Sequence, residues 1–271
     1  MRAPAAAKIN LGLVVGPLRD DGKHELLTIY QRVGLVDRID LEPADLLRIE
    51  GFAGDTLVRG ALERLAAHAA AGRRWRVRIE KRIPVAAGLG GGSSDAATAL
   101  RLANETLDES LARAELHELA ATVGADVPFF LHDGPQLGAG DGTTLEPLEL
   151  PQDYWVVLVL PKGHHKVSTA KVYDAFDARR GADGFGERRD AFLEALGSVR
   201  RPRDLAALPP NDLASSPVAD ELRSAGAFRA DVSGAGPAVY GLFHHRQPAR
   251  DAQRALARLG RIWITAPAWY G

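Results

Sequence analysis

The stretch from residue 75 to residue 104 constrains the fold of this chain more than any other part of the sequence. Residues 75–81 alternate strictly between apolar and charged side chains, which predicts a strand with one buried face. The glycine-rich residues 88–94 follow, and the Ala- and Leu-rich residues 95–104 predict a helix. The sequence therefore predicts a strand, a glycine loop and a helix in succession, with Ser93 or Ser94 as the helix cap.

Such a loop is suited to phosphate, because glycines let backbone N–H groups converge on phosphate oxygens at the positive end of a helix dipole. It is not a P-loop, since no Gly-Lys-Ser/Thr follows, and it is not a dinucleotide fingerprint, since Ser93 occupies the place of the third glycine. On the glycines alone, a surface loop with an ordinary serine cap is an equal alternative. Asp95 would repel phosphate unless a divalent cation lay between them, so it is predicted either beside Mg²⁺ or as a helix-dipole partner.

The remaining sequence predicts a mixture of helices and strands, with a domain boundary near Leu150 after the glycine-rich residues 134–142. Further strands are predicted at residues 8–15, 36–43, 46–50, 154–160 and 239–243. Further helices are predicted at residues 55–72, 111–123, 168–179, 188–196, 218–226 and 249–259.

Composition narrows the class of function. The 34 basic and 35 acidic residues nearly cancel, so no global field would gather nucleic acid or an anionic membrane. The chain has no cysteine, which excludes disulfides, thiolate chemistry and Cys-ligated metals. The amino terminus lacks the apolar core of a signal peptide, and no apolar window is long enough to span a membrane. We therefore expect a cytoplasmic protein that acts on a small molecule.

Three segments in order resemble the motifs of the GHMP kinase superfamily. Residues 84–97 are similar to its ATP-phosphate motif, residues 4–13 to its amino-terminal motif and residues 231–239 to its carboxy-terminal glycine motif. The resemblance implies an α+β, two-domain fold with the active site in the cleft between residues 1–150 and residues 151–271. It implies ATP and Mg²⁺ as cofactors, and it assigns ATP binding to Pro84, Gly88, Leu89, Gly90, Gly91, Gly92, Ser93 and Ser94.

Three further segments resemble the 4-diphosphocytidyl-2-C-methyl-D-erythritol kinase branch of that superfamily: residues 21–26, 124–131 and 211–213. That branch implies transfer of the γ-phosphoryl group of ATP to the position-2 hydroxyl of its substrate, a step of non-mevalonate isoprenoid biosynthesis. It implies that Asp126 accepts or orients the hydroxyl proton, and that Lys8 holds Asp126 ionised and stabilises developing negative charge. The substrate-binding residues that it implies are Asn10, His24, Thr169 and Tyr173, with His24 reading the cytosine edge and Tyr173 packing on the base.

Without the resemblance, these residues have ordinary interpretations. Lys8 would be a solvated charge at a strand end, and Asp126 a turn residue ahead of a proline. His24 would be a surface histidine and Tyr173 a core tyrosine on an amphipathic helix. Two residues depart from the branch pattern: Lys23 stands where tyrosine is usual, and Thr56 where asparagine is usual.

The alternatives are a homoserine or mevalonate type of GHMP kinase, a catalytically inactive nucleotide-binding regulator, and a nucleic-acid-binding module. Residues 22–26 and Tyr173 argue against the first, and retention of both Lys8 and Asp126 argues against the second. The charge balance argues against the third. The pairs His164-His165 and His244-His245 lack metal-ligand spacing, so no metal site is predicted in the protein itself. We expect a monomer or weak homodimer.

Overall fold

The structure is a computed structural model that describes residues 1–68, 72–163 and 168–268. Its ten strands within these ranges are β1 (Arg2–Leu18), β2 (His24–Ala44), β3 (Arg48–Glu50), β4 (Arg74–Glu80), β5 (Gln136–Gly140), β6 (Thr144–Pro147), β7 (Trp155–Pro161), β8 (Arg229–Val232), β9 (Val239–Phe243) and β10 (Gly260–Thr265). The seven α-helices are α1 (Leu57–His68), α2 (Gly91–Asn104), α3 (Arg113–Val123), α4 (Thr169–Ala178), α5 (Phe185–Gly197), α6 (Pro217–Ser224) and α7 (Arg246–Ala255). Short 3₁₀ helices cover Pro128–Leu131, Pro202–Ala207 and Ala257–Leu259.

The strands form two sheets. The first has six strands in the order β3-β4-β2-β5-β6, with β1 paired to β2, and the second has the order β10-β7-β9-β8. Only β3 and β4 are parallel among the described pairs. The long strand β2 pairs β1 along most of its length, β5 near its start and β4 near its end. This central strand therefore brings residues of β1, β4 and β5 next to one another.

Apolar clusters explain how the layers pack. Helices α1, α2 and α3 cover one face of the first sheet, with Trp75 of β4 and Leu100 of α2 fully buried there. A second cluster joins β1 and β2 to the second sheet and α5, through residues such as Ile9, Leu158 and Phe192. A third packs α6 and α7 on the second sheet. The chain passes from the first sheet to the second between β6 and β7, where the boundary near residue 150 was predicted. The division into two domains stays a prediction, because the second apolar cluster contains residues of both sheets.

Several elements differ from the sequence predictions. The strand predicted at residues 36–43 begins already at His24, and residues 134–142, interpreted as the end of a domain, contain strand β5 inside the first sheet. The prediction of a serine cap on α2 is wrong: the helix starts at Gly91, with Gly90 at its cap position in a left-handed conformation at φ 66°. The helix predicted at residues 55–72 includes residues 69–71, which lie outside the described residues. The pair His164-His165 lies wholly outside them.

Candidate active site

The glycine loop lies between β4 and α2, and its backbone conformation explains the glycines. Gly88 and Gly90 have φ of 82° and 66°, values that favour residues without a Cβ. Because α2 begins at Gly91, the first N–H groups of the helix have no partner within it, whereas the Ser94 N–H donates to the Gly90 carbonyl at 2.9 Å. Ser94 itself is buried, and Ser93 faces the adjoining cavities. The loop thus presents unpartnered N–H donors at a positive helix end.

A second glycine loop, residues 233–236, supports the first from the other sheet. The Ser233 hydroxyl donates to the Gly88 carbonyl at 2.9 Å, and the Ala238 N–H donates to the Ala87 carbonyl at 3.0 Å. Gly236 packs so tightly that a Cβ there would lie closer than 3.0 Å to the backbone of Ala87 and Gly88. The two glycine motifs of the sequence therefore touch backbone to backbone.

Lys8 and Asp126 meet beside the loop. Lys8 extends from β1, Asp126 lies just ahead of the 3₁₀ helix Pro128–Leu131, and the Lys8 Nζ is 3.4 Å from the Asp126 Oδ2. The Lys8 side chain is 5% exposed, whereas that of Asp126 is 32% exposed. Lys8 also donates to the Asn10 Oδ1 at 2.7 Å, and the Asn10 Nδ2 donates to the Thr28 hydroxyl at 2.8 Å. The Lys8 ammonium is therefore held by Asn10, whereas the Asp126 carboxylate remains open to the cavity.

Two cavities adjoin at the glycine loop. One, of about 390 Å³, is lined by Lys8, Asn10, Asp126, Tyr173 and others. The other, of about 460 Å³, is lined on one side by Thr56 and Lys81. It also contains seven of the eight predicted ATP-binding residues, namely Pro84, Gly88, Leu89, Gly90, Gly91, Gly92 and Ser93. Both cavities share Gly88, Gly90, Ser93 and Thr169, so a phosphate at the loop would face both.

His24 and Tyr173 lie together at the far wall of the first cavity. Their rings stack with centroids 5.0 Å apart, and Tyr173 faces the cavity while His24 is buried. The His24 Nδ1 is 2.8 Å from the Gly16 carbonyl oxygen, and the Nε2 is 3.3 Å from the Asp177 Oδ2. The imidazole is thus engaged by its own neighbours, and its predicted reading of a base stays a prediction.

Asp95 fits neither of its two predicted roles. It lines neither cavity, and its carboxylate accepts from the Lys81 Nζ at 2.8 Å, while Lys81 also donates to Asp37 at 2.5 Å. Burial, and next the charge of Asp37, raise the pKa of Asp95 to about 8 against the opposing effect of Lys81. Asp37 in turn accepts the backbone N–H groups of Arg82 and Ile83. This buried triad anchors the chain that enters the glycine loop.

Known families and proteins resemble this chain over most of its length. The family models described as GHMP kinases N terminal domain and GHMP kinases C terminal match residues 56–134 and 204–262. The 4-diphosphocytidyl-2-C-methyl-D-erythritol kinase of Chlorobium luteolum is 37% identical over 276 residues, covering 94% of this chain and 91% of that protein. The enzyme of the same name from Salinispora arenicola is 38% identical, covering 98% of this chain and 90% of that protein. The chain belongs to the 4-diphosphocytidyl-2-C-methyl-D-erythritol kinase family of GHMP kinases.

Solved structures agree with this membership. A crystal structure of 4-(cytidine 5'-diphospho)-2C-methyl-D-erythritol kinase superposes with a TM-score of 0.79 at 34% identity, covering 99% of both chains. A mevalonate kinase superposes with a TM-score of 0.77 at 14% identity, covering 100% of both chains, which shows the shared fold alone. The predicted α+β GHMP kinase fold is confirmed, and this GHMP kinase is an ATP-dependent small-molecule kinase. The homoserine and mevalonate types and the inactive regulator are not favoured.

Sequence reasoning missed three side chains that line these two cavities. Lys81 lines the second cavity at the end of β4, Asp141 lines the first, and Tyr30 lies on β2 behind Asp126. The lysine follows the most regular strand pattern of the chain and could have been noticed there. The other two become site residues only through the pairing of β2 with β5, which no local pattern indicates.

The oxygen donors of the site bear on Mg²⁺ binding. Among the described residues, no three His, Asp or Glu side chains cluster so as to hold a metal by themselves. Ser93 and Asp126 present oxygen ligands to the same cavity. Mg²⁺ commonly takes one or two protein oxygens and completes its shell with phosphate oxygens and water, so these residues fit a magnesium ion bound together with ATP. Of the histidine pair His244-His245, considered above for a metal, the ring of His244 stacks on Phe228 with centroids 4.5 Å apart.

None of the helices in the described ranges combines the length and the apolar character that crossing a bilayer requires.

Proposed function

We propose that this chain phosphorylates the position-2 hydroxyl of 4-diphosphocytidyl-2-C-methyl-D-erythritol at the expense of ATP, in non-mevalonate isoprenoid precursor biosynthesis. The relatives above carry this substrate in their names, and they match nearly the whole chain. The observation in the structure that carries the proposal is the Lys8–Asp126 pair, which lies next to a loop suited to phosphate and faces a cavity. Phosphoryl transfer needs mainly positioning and charge stabilisation, and these groups supply both.

The roles follow from charge and position. Asp126, open to the cavity, accepts the proton of the substrate hydroxyl as that oxygen attacks phosphorus. Lys8, 3.4 Å from the Asp126 carboxylate, offsets negative charge that develops on the transferred group. The N–H donors at the start of α2 bind the phosphates, held by Gly88 and Gly90 in a conformation that a side chain would oppose. Bound Mg²⁺ would supply charge neutralisation at the phosphates, and Ser93 and Asp126 are the residues that would hold it.

The wider cavity wall holds the remaining substrate groups. Asn10, whose amide is already oriented by Lys8 and Thr28, lies near the chemistry and binds the methylerythritol end. Tyr173, with Thr169 at the start of the same helix, binds the cytidyl end, and His24 lies behind Tyr173. Residues 1–150 and residues 151–271 would act as two domains around this cleft, in a monomer or weak homodimer in the cytoplasm.

The test is ADP release by the purified chain with diphosphocytidyl-methylerythritol, mevalonate and homoserine as acceptors. We expect turnover with the first alone and a new phosphomonoester signal by ³¹P NMR. Asp126→Asn should lower kcat by roughly 10²–10⁴-fold with little change in KM, because the substitution removes the base and keeps the shape. The exposed residue Asp153 provides a matched control, Asp153→Asn, which should not change the rate.

Lys8→Ala should lose a similar factor, and the double variant should be scarcely slower than the worse single variant, because the pair acts as a unit. Turnover of mevalonate or homoserine in place of the cytidyl substrate would reject the proposed acceptor. Near-normal kcat in Asp126→Asn, or fully additive losses in the double variant, would reject the proposed mechanism.

A further inference from the structure

The branch segment at residues 211–213 contains none of the predicted site residues, whereas each of the other two branch segments contains one. Asn211 in this segment is 8% exposed and lines neither of the two cavities described above. Its Nδ2 donates to the Val232 carbonyl at 3.0 Å and to the Gly234 carbonyl at 2.8 Å. This side chain therefore binds the backbone at the start of the second glycine loop without itself facing a cavity.

The amide of Asn211 has one orientation that satisfies its surroundings. Its Oδ1 accepts from the Leu213 N–H at 2.8 Å, and the two hydrogens of its Nδ2 meet two carbonyl acceptors. A flipped amide would turn Oδ1 toward two carbonyl oxygens and would leave the Leu213 N–H facing a donor. The Asn211 N–H donates to the Asp231 Oδ2 at 2.9 Å, so the backbone of Asn211 is fixed as well. Asn211 is therefore a rigid support for the loop.

The next residue of the segment attaches it to β1, the strand that carries Lys8. The Asp212 N–H donates to the Leu13 carbonyl at 3.0 Å. The Asp212 Oδ2 accepts from the Val15 N–H at 2.9 Å. Residues 211–213 therefore hold the second glycine loop on one side and β1 on the other, which fixes the distance between the loop and the strand.

Gly234, which Asn211 holds, lies where Lys8 meets the first glycine loop. A Cβ added to Gly234 would lie 3.2 Å from the Asn10 Oδ1 and 3.4 Å from the Lys8 Nζ. The same atom would lie 3.8 Å from the Gly88 carbonyl oxygen. One residue earlier, the Ser233 hydroxyl donates to that carbonyl at 2.9 Å. A shift of Gly234 would therefore disturb both the support of the first glycine loop and the packing around Lys8.

We propose that Asn211 is a positioning residue of the kinase: its amide fixes two carbonyls at the start of the second glycine loop and so keeps that loop against the first glycine loop and beside Lys8. The effect on ATP binding rests only on the ATP dependence of the family, whereas the effect on kcat rests on the proposed function. A misplacement of about 1 Å can lower a rate by about 10²-fold, so loss of the two hydrogen bonds should be measurable.

The experiment compares Asn211→Ala with Asn104→Ala. Asn104 is also 8% exposed, and its Nδ2 and Oδ1 likewise bond to backbone groups, those of Leu111 at 3.1 and 2.8 Å. It is the last residue of α2, about 20 Å from the first residue of that helix at 1.5 Å per residue. We expect Asn211→Ala to weaken ATP binding about 10-fold and to lower kcat about 10-fold, because both groups of contacts move with the loop. Asn104→Ala should change each by less than about 2-fold.

Calorimetric titration with ATP is the decisive measurement, because it needs no acceptor. It is carried out well below the Tm of each variant, where the protein is folded and general destabilisation does not lower the apparent affinity. ATP binding by Asn211→Ala as tight as that by Asn104→Ala would overturn the inference. Weakened ATP binding in Asn211→Ala, together with a wild type that does not phosphorylate the cytidyl acceptor, would support the inference and reject the proposed function.

A double-variant cycle tests whether Asn211 acts through the second glycine loop. Ser233→Ala removes the hydroxyl that donates to the Gly88 carbonyl, so it should weaken ATP binding by itself. In that background, Asn211→Ala should weaken ATP binding by less than about 3-fold, because both changes release the same loop. Losses of affinity that multiply in full would show that Asn211 acts by another route and would overturn the inference.

If Asn211→Ala does not fold, Asn211→Ser replaces it. The serine side chain removes less volume, and its hydroxyl has a single donor, so it cannot bond both carbonyls at once. ATP binding should still weaken, by at least about 3-fold, because one carbonyl of the loop loses its partner. An ATP affinity of Asn211→Ser equal to that of the wild type would equally overturn the inference.

Discussion

Gly236→Ala tests whether contact between the two glycine loops is what holds the phosphate site. The substitution adds one methyl group where a Cβ would lie closer than 3.0 Å to backbone atoms of Ala87 and Gly88. Gly236 has no left-handed φ, so the added cost is steric rather than conformational. Carbon atoms pack at about 3.5–4.0 Å, so the loops would have to separate by roughly 1 Å.

The size of the effect follows from what that separation breaks. Overpacking costs about 1–3 kcal/mol. The Ala238 N–H to Ala87 carbonyl bond of 3.0 Å and the Ser233 hydroxyl to Gly88 carbonyl bond of 2.9 Å would be lost as well, at about 1 kcal/mol each. We expect the free energy of unfolding to fall by about 3–5 kcal/mol. We also expect ATP to bind about 10-fold more weakly, because the N–H donors of the first loop move with Gly88.

Two assays measure these quantities: chemical denaturation for stability, and calorimetric titration with ATP for affinity. Gly197→Ala is the matched control, because Gly197 ends α5, a Cβ added there would meet no described atom within 4 Å, and its φ is not left-handed. That control should be neutral or stabilise by about 0.4–1 kcal/mol. Gly236→Ala with the stability and ATP affinity of the wild type would refute the idea that the loops depend on each other.

Three other predictions follow from single contacts. Gly90→Val should weaken ATP binding strongly, because Gly90 has a left-handed φ of 66° and a Cβ added there would lie 2.9 Å from the Lys8 side chain. An ATP affinity equal to that of the wild type by calorimetry would contradict this prediction. Lys23→Tyr should raise KM for the anionic cytidyl substrate, because Asp141 loses its cationic partner and then repels the diphosphate. Added salt screens this repulsion, so the KM of the variant should fall as salt is added. An equal dependence of KM on salt in the variant and the wild type would reject this prediction. Because the pKa of Asp95 is raised to about 8 by its burial and by the charge of Asp37, the contribution of Asp95 to stability is fully present below the ordinary carboxyl pKa and is lost as pH rises through about 8. Denaturation at pH 6 and pH 9 should show a loss on the order of 1–3 kcal/mol, and Asp95→Asn should flatten it.

The sequence predicted those elements whose pattern is local. The bounds of the alternating strand β4 and of the amphipathic helices were predicted to within a few residues, because one face of each is buried and the other is exposed to solvent. The first half of β2 was missed because every residue from Leu27 to Val33 is buried, so no alternation marks it. Strand β5 was missed because its two glycines usually mark a turn, whereas one of them, Gly138, here makes room for Tyr30.

The structure brings the predicted site residues together most completely where the motif is continuous in sequence. Residues 84–93 line one cavity together, as a local loop must. Asp95, in contrast, was interpreted from its place in the first helical turn, and its actual partners Asp37 and Lys81 come from two other elements. A helix position indicates the direction of a side chain but not which charge the tertiary fold will place against it.

Two lysine–aspartate clusters flank the glycine loop, and their burial indicates which one performs chemistry. Lys81 is shared by Asp37 and Asp95, whose side chains are 0% and 2% exposed, so neither carboxylate can reach a substrate. Although burial opposes the charge of Lys81, the two carboxylates raise its pKa, which suits a fixed structural cation.

The second cluster has the opposite arrangement. Lys8 is buried, but its partner Asp126 keeps 32% of its side chain exposed, toward a cavity that also reaches the loop. A base must touch the proton that it removes, and of the three carboxylates in these two clusters Asp126 alone is open to a cavity. The same pair of residue types therefore stabilises the entrance of the loop on one side and opens to the cavity on the other, and the difference lies in which carboxylate the fold leaves exposed.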